Sequence, residues 1–167
     1  MSCEKRIAVI GLDTNHAVEL PRLINGEQAN EGLHVTRCLR FETPFQNKEG
    51  LDARSRQSLE MGVTVTEDFN EAVADCDCLM LELNDARMHR EYFERCAVLG
   101  RPIFLDKPFA DSLANAKAID LAAQRYSVPY FTASPLRFDW NLVQALAQNP
   151  LVVDSATVWG PVGRAPS

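Results

Sequence analysis

The sequence predicts an α/β fold in which helices cover both faces of a mostly parallel sheet. Short runs rich in β-branched residues alternate with longer amphipathic segments, which is the pattern of successive βαβ units. The first run, residues 7–10, is apolar throughout and ends at Gly11, as expected of a strand buried on both faces. The 167 residues suit one domain of ordinary size, which buries about two-thirds of its surface on folding.

Five further segments complete the predicted sheet. Each is a short run of apolar or alternating residues that is followed by polar or turn-forming residues. These strands are predicted at residues 33–41, 63–65, 78–83, 102–105 and 129–132. Helical segments separate most of them, which favours parallel pairing because a parallel connection needs a long crossover.

The helices after the fourth and fifth strands have clear boundary signals. Asn84 and Asp85 are N-cap residue types, and the segment after them has apolar residues at helical spacing until Gly100 ends it. Asp111 or Ser112 is placed to cap the next helix, which also has an apolar face.

Two regions depart from this alternation. Residues 42–52 are polar and contain a proline and a glycine, so we predict a loop there. Near the end of the chain, residues 138–148 are predicted to be a helix and residues 152–159 an exposed edge strand. We therefore assign residues 1–138 to one domain and expect residues 139–167 to be the start of a second domain, truncated here.

Composition and charge limit the classes of function. The net charge of -6 and the pI near 5.1 argue against nucleic acid as the main partner, since phosphate binding needs a basic surface. No stretch reaches the ~18 to 20 apolar residues that cross a bilayer, and no signal peptide is evident, so the cytoplasm is the expected location. The five cysteines form no CxxC pair, and we expect reduced thiols and no metal site.

Candidate ligand-binding residues follow the strands, because open parallel sheets bind ligands beyond the carboxyl ends of their strands. The turn after the first strand contains, in order, Gly11, Leu12, Asp13, Thr14, Asn15 and His16. Gly11 permits a tight turn, and a following helix N-terminus can bind a phosphate. A dinucleotide fingerprint would have glycines at positions 13 and 16, and the Asp13 carboxylate would repel a pyrophosphate unless it points away.

Polar residues also follow the second and fourth strands. Arg40 can favour the 2′-phosphate of NADP, and a solvated strand-end charge is the simpler alternative. Glu82, Asn84 and His89 converge at the end of the fourth strand and the first turn of the next helix. Helix capping is the structural alternative for Asn84, and a backbone or loop partner is the alternative for His89.

The fifth strand ends in Asp106-Lys107-Pro108. A lysine beside a carboxylate at this position suits proton transfer or oxyanion stabilisation. Pro108 can hold the peptide bond that precedes it in the cis form, which would fix the direction of the lysine. A surface ion pair at a turn is the alternative.

At these residues the chain resembles the Gfo/Idh/MocA family, the group of glucose–fructose oxidoreductase and inositol dehydrogenase. The family's Glu-Lys-Pro motif appears as Asp106-Lys107-Pro108, with His89 and Arg137 at matching spacing, and the resemblance runs over residues 76–138. Residues 7–16 also resemble a branch of the family whose loop reads Gly-Leu-Asp-Thr-Ser/Asn-His.

The resemblance implies a Rossmann-type, doubly wound sheet, NAD or NADP as cofactor, and oxidation of a sugar or cyclitol-like alcohol, with this chain as the nucleotide-binding half. It implies a small-molecule substrate. The predicted edge strand favours a homo-oligomer, and the charge and the hydropathy predict no nucleic acid or membrane partner. Lys107 matches the catalytic lysine. Together with the positions after the strands, the resemblance gives these candidate cofactor-binding residues: Gly11, Leu12, Asp13, Thr14, Asn15, Arg40, Glu82, Asn84, His89, Asp106, Lys107, Pro108 and Arg137. The alternative is a non-catalytic Rossmann module that binds a nucleotide, a small ligand or a partner protein, because Asp13 and His16 replace glycines.

Overall fold

The computed structural model describes residues 4–26, 32–148 and 157, which contain one sheet of six strands in the order β3-β2-β1-β4-β5-β6. The strands are β1 (Lys5–Ile10), β2 (Leu33–Leu39), β3 (Thr64–Thr66), β4 (Cys78–Leu81), β5 (Ile103–Asp106) and β6 (Tyr130–Ala133). The pairs β1–β2, β1–β4, β2–β3 and β4–β5 are parallel. All six predicted strands are confirmed, with ends that differ by at most two residues.

The helices of the described residues connect these strands. They are α1 (His16–Asn25), α2 (Lys48–Glu60), α3 (Phe69–Val73), α4 (Ala86–Ala97), α5 (Leu113–Tyr126) and α6 (Trp140–Gln148), with a 3₁₀ helix at Pro135–Phe138. Asp85 caps α4 by accepting a hydrogen bond from the backbone N–H of Arg87. Ser112 caps α5 by accepting from the backbone N–H of Asn115. Both cap predictions are therefore confirmed, with Ser112 as the cap of α5.

The predicted loop over residues 42–52 is wrong from residue 48 onward, where α2 begins. Asn47 caps this helix by accepting from the backbone N–H of Gly50. The hydrophobic pattern did not indicate a helix, because only Leu51 and Ser58 of its 13 residues are buried. The Asn47 cap, rather than an apolar stripe, was the feature of the sequence that indicated this helix.

Two apolar cores lie on opposite faces of the sheet. In β1, Ala8 and Ile10 belong to the core formed with α3, α4 and α5, whereas Ile7 and Val9 belong to the core formed with α1 and α2. Alternate side chains of a strand point to opposite faces, so this division shows that helices cover both faces. The predicted doubly wound arrangement is confirmed.

The chain divides into two compact units, Met1–Thr132 and Ala133–Ser167. In the second unit, α6 begins two residues later than the predicted helix and has no buried residue. The predicted strand at residues 152–159 lies outside the described residues, except for residue 157.

The four cysteines of the described part, Cys38, Cys76, Cys78 and Cys96, are free thiols. Among the described residues, no helix is long and apolar enough to span a bilayer.

Candidate functional site

The candidate site lies at the carboxyl ends of three adjacent strands, β1, β4 and β5. The chain leaves β1 for β2 on one side of the sheet and later returns to β4 on the other side, so β1 is the point at which the strand order reverses. Open α/β sheets bind ligands at such a position. The loop that begins at Gly11, the polar residues from Glu82 onward and the Asp106-Lys107-Pro108 turn all follow these three strands.

Gly11 allows the ends of β1 and β4 to approach closely. Its φ is +102°, a conformation that residues with a side chain rarely adopt. A Cβ atom at this position would lie 2.7 Å from the carbonyl oxygen of Glu82 and 2.6 Å from a methyl carbon of Leu83. The glycine is therefore required both by the backbone conformation and by the packing.

Asp13 is buried and links three loops. Its carboxylate accepts a hydrogen bond of 3.1 Å from the backbone N–H of Asn84 and one of 3.0 Å from the hydroxyl of Thr43. Each of its oxygens thus has a donor in a neighbouring loop. The sequence did not indicate Thr43 as a partner, because it lies in a segment without a recognisable motif.

The N-terminus of α1 has the features of an anion-binding site. Within the described residues, the backbone N–H groups of residues 13–15 donate to no backbone carbonyl. Arg54, from α2, donates hydrogen bonds of 3.0 Å to the carbonyl of Leu12 and 2.7 Å to the side-chain oxygen of Asn15. Burial lowers the pKa of Arg54 below its usual value, and the nearby Asp13 carboxylate offsets only part of this effect. Free N–H groups, the helix dipole and a guanidinium together favour a phosphate.

Asp106 lies at the centre of a buried polar cluster. Its Oδ2 is 2.8 Å from Nδ1 of His16 and 3.8 Å from Nζ of Lys107. The Asp106 carboxyl is fully buried, whereas about half of the Lys107 side chain is exposed. The peptide bond between Lys107 and Pro108 is cis, as the sequence suggested. Lys107 therefore presents its ammonium group to the open side of the site while its neighbour supplies the counter-charge.

Glu82 adjoins Asp106 and is itself fully buried. Both carboxyl oxygens of Glu82, and Oδ1 of Asp106, have no hydrogen-bond partner among the described residues. Burial raises the pKa of Glu82 well above its usual range, and the neighbouring Asp106 carboxylate raises it further, against a smaller effect of Lys107. Such a buried, unpaired carboxyl is costly to stability and is typical of functional sites.

His89 is fully buried, and each of its ring nitrogens faces a backbone carbonyl oxygen. Its Nε2 lies 2.9 Å from the carbonyl oxygen of Leu83, and its Nδ1 lies 3.3 Å from that of Phe109. The imidazole thus joins the end of β4 to the turn after Pro108, which agrees with the structural alternative stated for this residue. For Asn84 the structural alternative was helix capping, but Asp85 provides the cap of α4 and the Asn84 side chain is exposed.

Arg40 lies at the end of β2, away from the cluster around Asp106. Its guanidinium contacts Asp52 at 2.6 Å, Ser55 at 3.1 Å and Glu67 at 3.9 Å. It borders a cavity of about 610 Å³ that is lined by Arg40, Phe41, Glu42, Thr43, Gln46, Asn47, Lys48, Leu51 and Glu67. Two carboxylates therefore already compete with any phosphate for this arginine. Contact with a 2′-phosphate stays a prediction.

The remaining predicted residues have simpler surroundings. The side chain of Leu12 is in the core, so only its backbone is available. Thr14 is nearly buried, and its hydroxyl accepts a hydrogen bond from the backbone N–H of Ala17. Pro108 is exposed, and Arg137 is exposed in the 3₁₀ helix of the second unit.

Comparison with known families decides which class of protein this arrangement belongs to. Residues 5–134 match the profile of the Gfo/Idh/MocA oxidoreductase family, described as having an NAD-binding Rossmann fold. The chain belongs to the Gfo/Idh/MocA family. This membership confirms the resemblance seen in the Asp106-Lys107-Pro108 turn. No functionally curated protein matches the chain.

Solved structures with the same fold include several dehydrogenases of this kind. The WlbA dehydrogenase of Bordetella pertussis, in complex with NADH and UDP-GlcNAcA, has a TM-score of 0.67 at 18% identity over 87% of this chain and 42% of that chain. Scyllo-inositol dehydrogenase of Lactobacillus casei, with NAD(H) and scyllo-inositol, has a TM-score of 0.66 at 18% identity over 87% and 40%. An oxidoreductase of Agrobacterium radiobacter, in complex with NAD+, L-tartaric acid and magnesium, has a TM-score of 0.66 at 20% identity over 87% and 40%. This chain spans between 35% and 44% of the length of such relatives.

The structure of this Gfo/Idh/MocA chain adds two residues that the sequence did not place in the site. His16 was not among the candidate cofactor-binding residues, and the structure shows it in contact with Asp106. Arg54 was not considered, because α2 was not predicted. His16 contacts Asp106, and Arg54 contacts the loop before α1, so each contact joins segments that are far apart in the sequence. No local sequence pattern indicates such contacts.

Proposed function

We propose that this chain is the nucleotide-binding half of an NAD(P)-dependent oxidoreductase that acts on a sugar or cyclitol-like alcohol. The observation that carries the proposal is the meeting of the Gly11 loop with the Asp106-Lys107-Pro108 turn at the carboxyl ends of β1 and β5. The first feature suits a dinucleotide and the second suits proton transfer. Family membership supports the same conclusion.

The loop fits the pyrophosphate of NAD despite its missing glycines. The N–H groups of residues 13–15 and the guanidinium of Arg54 supply donors and positive charge. The Asp13 carboxylate, which would oppose a phosphate, instead accepts from Asn84 and Thr43. We therefore assign the pyrophosphate to the N-terminus of α1, and Arg54 to the residues that hold it.

Lys107 is the residue that we assign to proton transfer. When bound, the nicotinamide ring supplies the hydride acceptor for alcohol oxidation. Lys107 in its neutral form can accept the hydroxyl proton of the alcohol at Nζ, and the Asp106 carboxylate, 3.8 Å away, stabilises the resulting ammonium. Because the Lys107 side chain is half exposed, it can reach a substrate that enters from solvent.

A second domain is part of the proposal. We assign residues 139–167 to the beginning of a domain that completes the substrate site. In α6, Trp140 is 71% exposed, and Leu142, Val143 and Leu146 are also exposed. An apolar helix face of this kind is normally covered by other parts of a protein. Polyhydroxylated ligands in WlbA and in scyllo-inositol dehydrogenase support a sugar or cyclitol as the substrate class.

The test of this function is the effect of Lys107→Ala in the full-length protein. We expect NAD-dependent oxidation of sugars or cyclitols to be abolished while NAD affinity changes by less than about threefold. The matched control is Lys117→Ala, which removes an exposed lysine from α5. Unchanged turnover in Lys107→Ala would exclude Lys107 from the chemistry.

The second candidate is a non-catalytic Rossmann module that binds a nucleotide, a small ligand or a partner protein. The observation that favours it is the replacement of two fingerprint glycines by Asp13 and His16. Tight binding of NAD together with turnover of the full-length protein would exclude this candidate.

The proposal also includes the cellular compartment and the oligomeric state. The four free thiols of the described residues, three of them buried, support a reducing compartment such as the cytoplasm. We also propose that the chain forms a homo-oligomer through the edge strand predicted at residues 152–159. Light scattering that shows a monomer at high concentration would contradict the homo-oligomer.

A further inference from the structure

We propose that His16, Glu82 and Asp106 form a binding site for one divalent transition-metal ion, with Zn²⁺ or Mn²⁺ as its probes. The potential ligand atoms of these three residues all lie within 4.8 Å of one another. They come from the first turn of α1, the end of β4 and the end of β5, so the sheet itself holds them together. The site does not depend on the proposed dehydrogenase function, and metal binding would replace the Asp106–Lys107 contact that this function uses.

Unsatisfied buried oxygens are an independent reason to place a cation here. Both oxygens of Glu82 and Oδ1 of Asp106 are buried without a hydrogen-bond partner among the described residues. A proton shared between Glu82 and Asp106, together with the nearby Thr14 hydroxyl, is the metal-free way to satisfy these oxygens. A metal ion accepts lone pairs from several ligands at once, and it neutralises buried charge that is otherwise costly.

The donor set indicates the class of metal. One imidazole nitrogen and two carboxylates suit Zn²⁺, Mn²⁺ or Fe²⁺, whereas Mg²⁺ and Ca²⁺ prefer oxygen ligands alone. Tetrahedral ligands at about 2.0–2.2 Å from an ion lie about 3.3–3.6 Å apart. The potential ligand atoms, all within 4.8 Å of one another, would therefore draw together by up to about 1.5 Å when an ion binds.

The surroundings permit a metal ion to enter. About a quarter of the His16 side chain is exposed, so the cluster is open to solvent on that side. Lys107 is the competing cation, at 3.8 Å from Asp106 Oδ2, but its side chain is half exposed and can turn toward solvent. We therefore expect the metal ion to replace the Lys107 ammonium as the counter-charge of Asp106.

The test is a calorimetric titration of the chelator-treated chain with Zn²⁺ and with Mn²⁺. We expect one ion per chain for at least one metal. Glu82→Gln and Asp106→Asn each keep the side-chain shape but remove a ligand charge, so each should weaken binding at least a hundredfold. Thermal unfolding of the metal-free variants shows whether each remains folded. The matched control is Cys78→Ser, which removes a partly exposed thiol that could bind Zn²⁺ elsewhere and should leave the affinity unchanged.

Three results would overturn the proposal. The first is the absence of saturable binding of either metal by the unmodified chain. The second is binding by folded Glu82→Gln and Asp106→Asn that is as tight as in the unmodified chain. The third is loss of binding in Cys78→Ser, which would place the metal ion at the thiols. None of these measurements involves NAD, so they separate the metal site from the proposed oxidoreductase.

Discussion

Nδ1 of His16 lies 2.8 Å from Oδ2 of Asp106, ninety residues further along the chain. This contact joins the N-terminus of α1 to the carboxyl end of β5, across the intervening end of β4. A glycine at position 16, as in the usual dinucleotide fingerprint, could not make it. The replacement therefore gives Asp106 a polar neighbour from α1, in addition to Glu82 and Lys107.

Gly11→Ala is expected to destabilise the chain by about 2–4 kcal/mol, because it combines an unfavourable backbone conformation with steric overlap. The new methyl group would meet the carbonyl of Glu82 at 2.7 Å. Chemical denaturation measures the loss. The matched control is Gly62→Ala, since Gly62 also has a positive φ, +78°, but a Cβ there would meet nothing within 4 Å. Equal losses in the two variants would show that packing against β4 is unimportant.

Arg54→Ala is expected to weaken NAD binding about tenfold, because one charge-assisted contact with a phosphate is lost. Arg56→Ala is the matched control, because it removes the same charge from an exposed position on the same helix. It should change the affinity less than twofold. Titration of both variants with NAD provides the comparison. Equal affinities would remove Arg54 from the cofactor site.

His89→Ala is expected to cost about 2–4 kcal/mol of stability, since a buried ring with two carbonyl neighbours is removed. His34→Ala, at a partly exposed position in β2, should cost less than about 0.5 kcal/mol. Urea denaturation followed by circular dichroism measures both variants. A loss in His89→Ala as small as that in His34→Ala would show that the ring does not hold the β4 and β5 turns together.

Cys38 and Cys96 are expected to be unreactive toward thiol reagents while the chain is folded. Burial raises the pKa of each thiol to about 12, so almost none of the reactive thiolate is present at pH 8. Cys78 is partly exposed, and although burial also raises its pKa, it should be modified first. Mass spectrometry of peptides after timed labelling measures each site. Modification of Cys38 as fast as Cys78 would contradict the described burial.

The sheet was predictable from the sequence because each strand is a short apolar run with a turn signal after it. Residues 7–10 and 102–105 are examples, and both strands were found within two residues of their predicted ends. α2 was not predictable in the same way, because its surface is polar and its only strong signal is the Asn47 cap. Local pattern therefore indicates buried elements better than it indicates exposed ones.

The candidate site was predictable in its parts but not in its contacts. The Asp106-Lys107-Pro108 turn was identified from its residues, and Glu82 was placed correctly at the end of the fourth strand. The approach of Glu82 to Asp106, and that of His16 to Asp106, depends on the strand order, which brings β1, β4 and β5 side by side. Contacts of this kind arise from tertiary structure, so a single sequence does not indicate them.

The most direct test of the central claim is a calorimetric titration of the chain with NAD, NADH, NADP and NADPH. We predict saturable binding of one oxidised and reduced pair, with a dissociation constant between micromolar and sub-millimolar, or about -8 to -5 kcal/mol. That result would show that the loop from Gly11 to His16 accepts a dinucleotide despite its two missing glycines. No saturation with any of the four would contradict the account and favour a non-catalytic module.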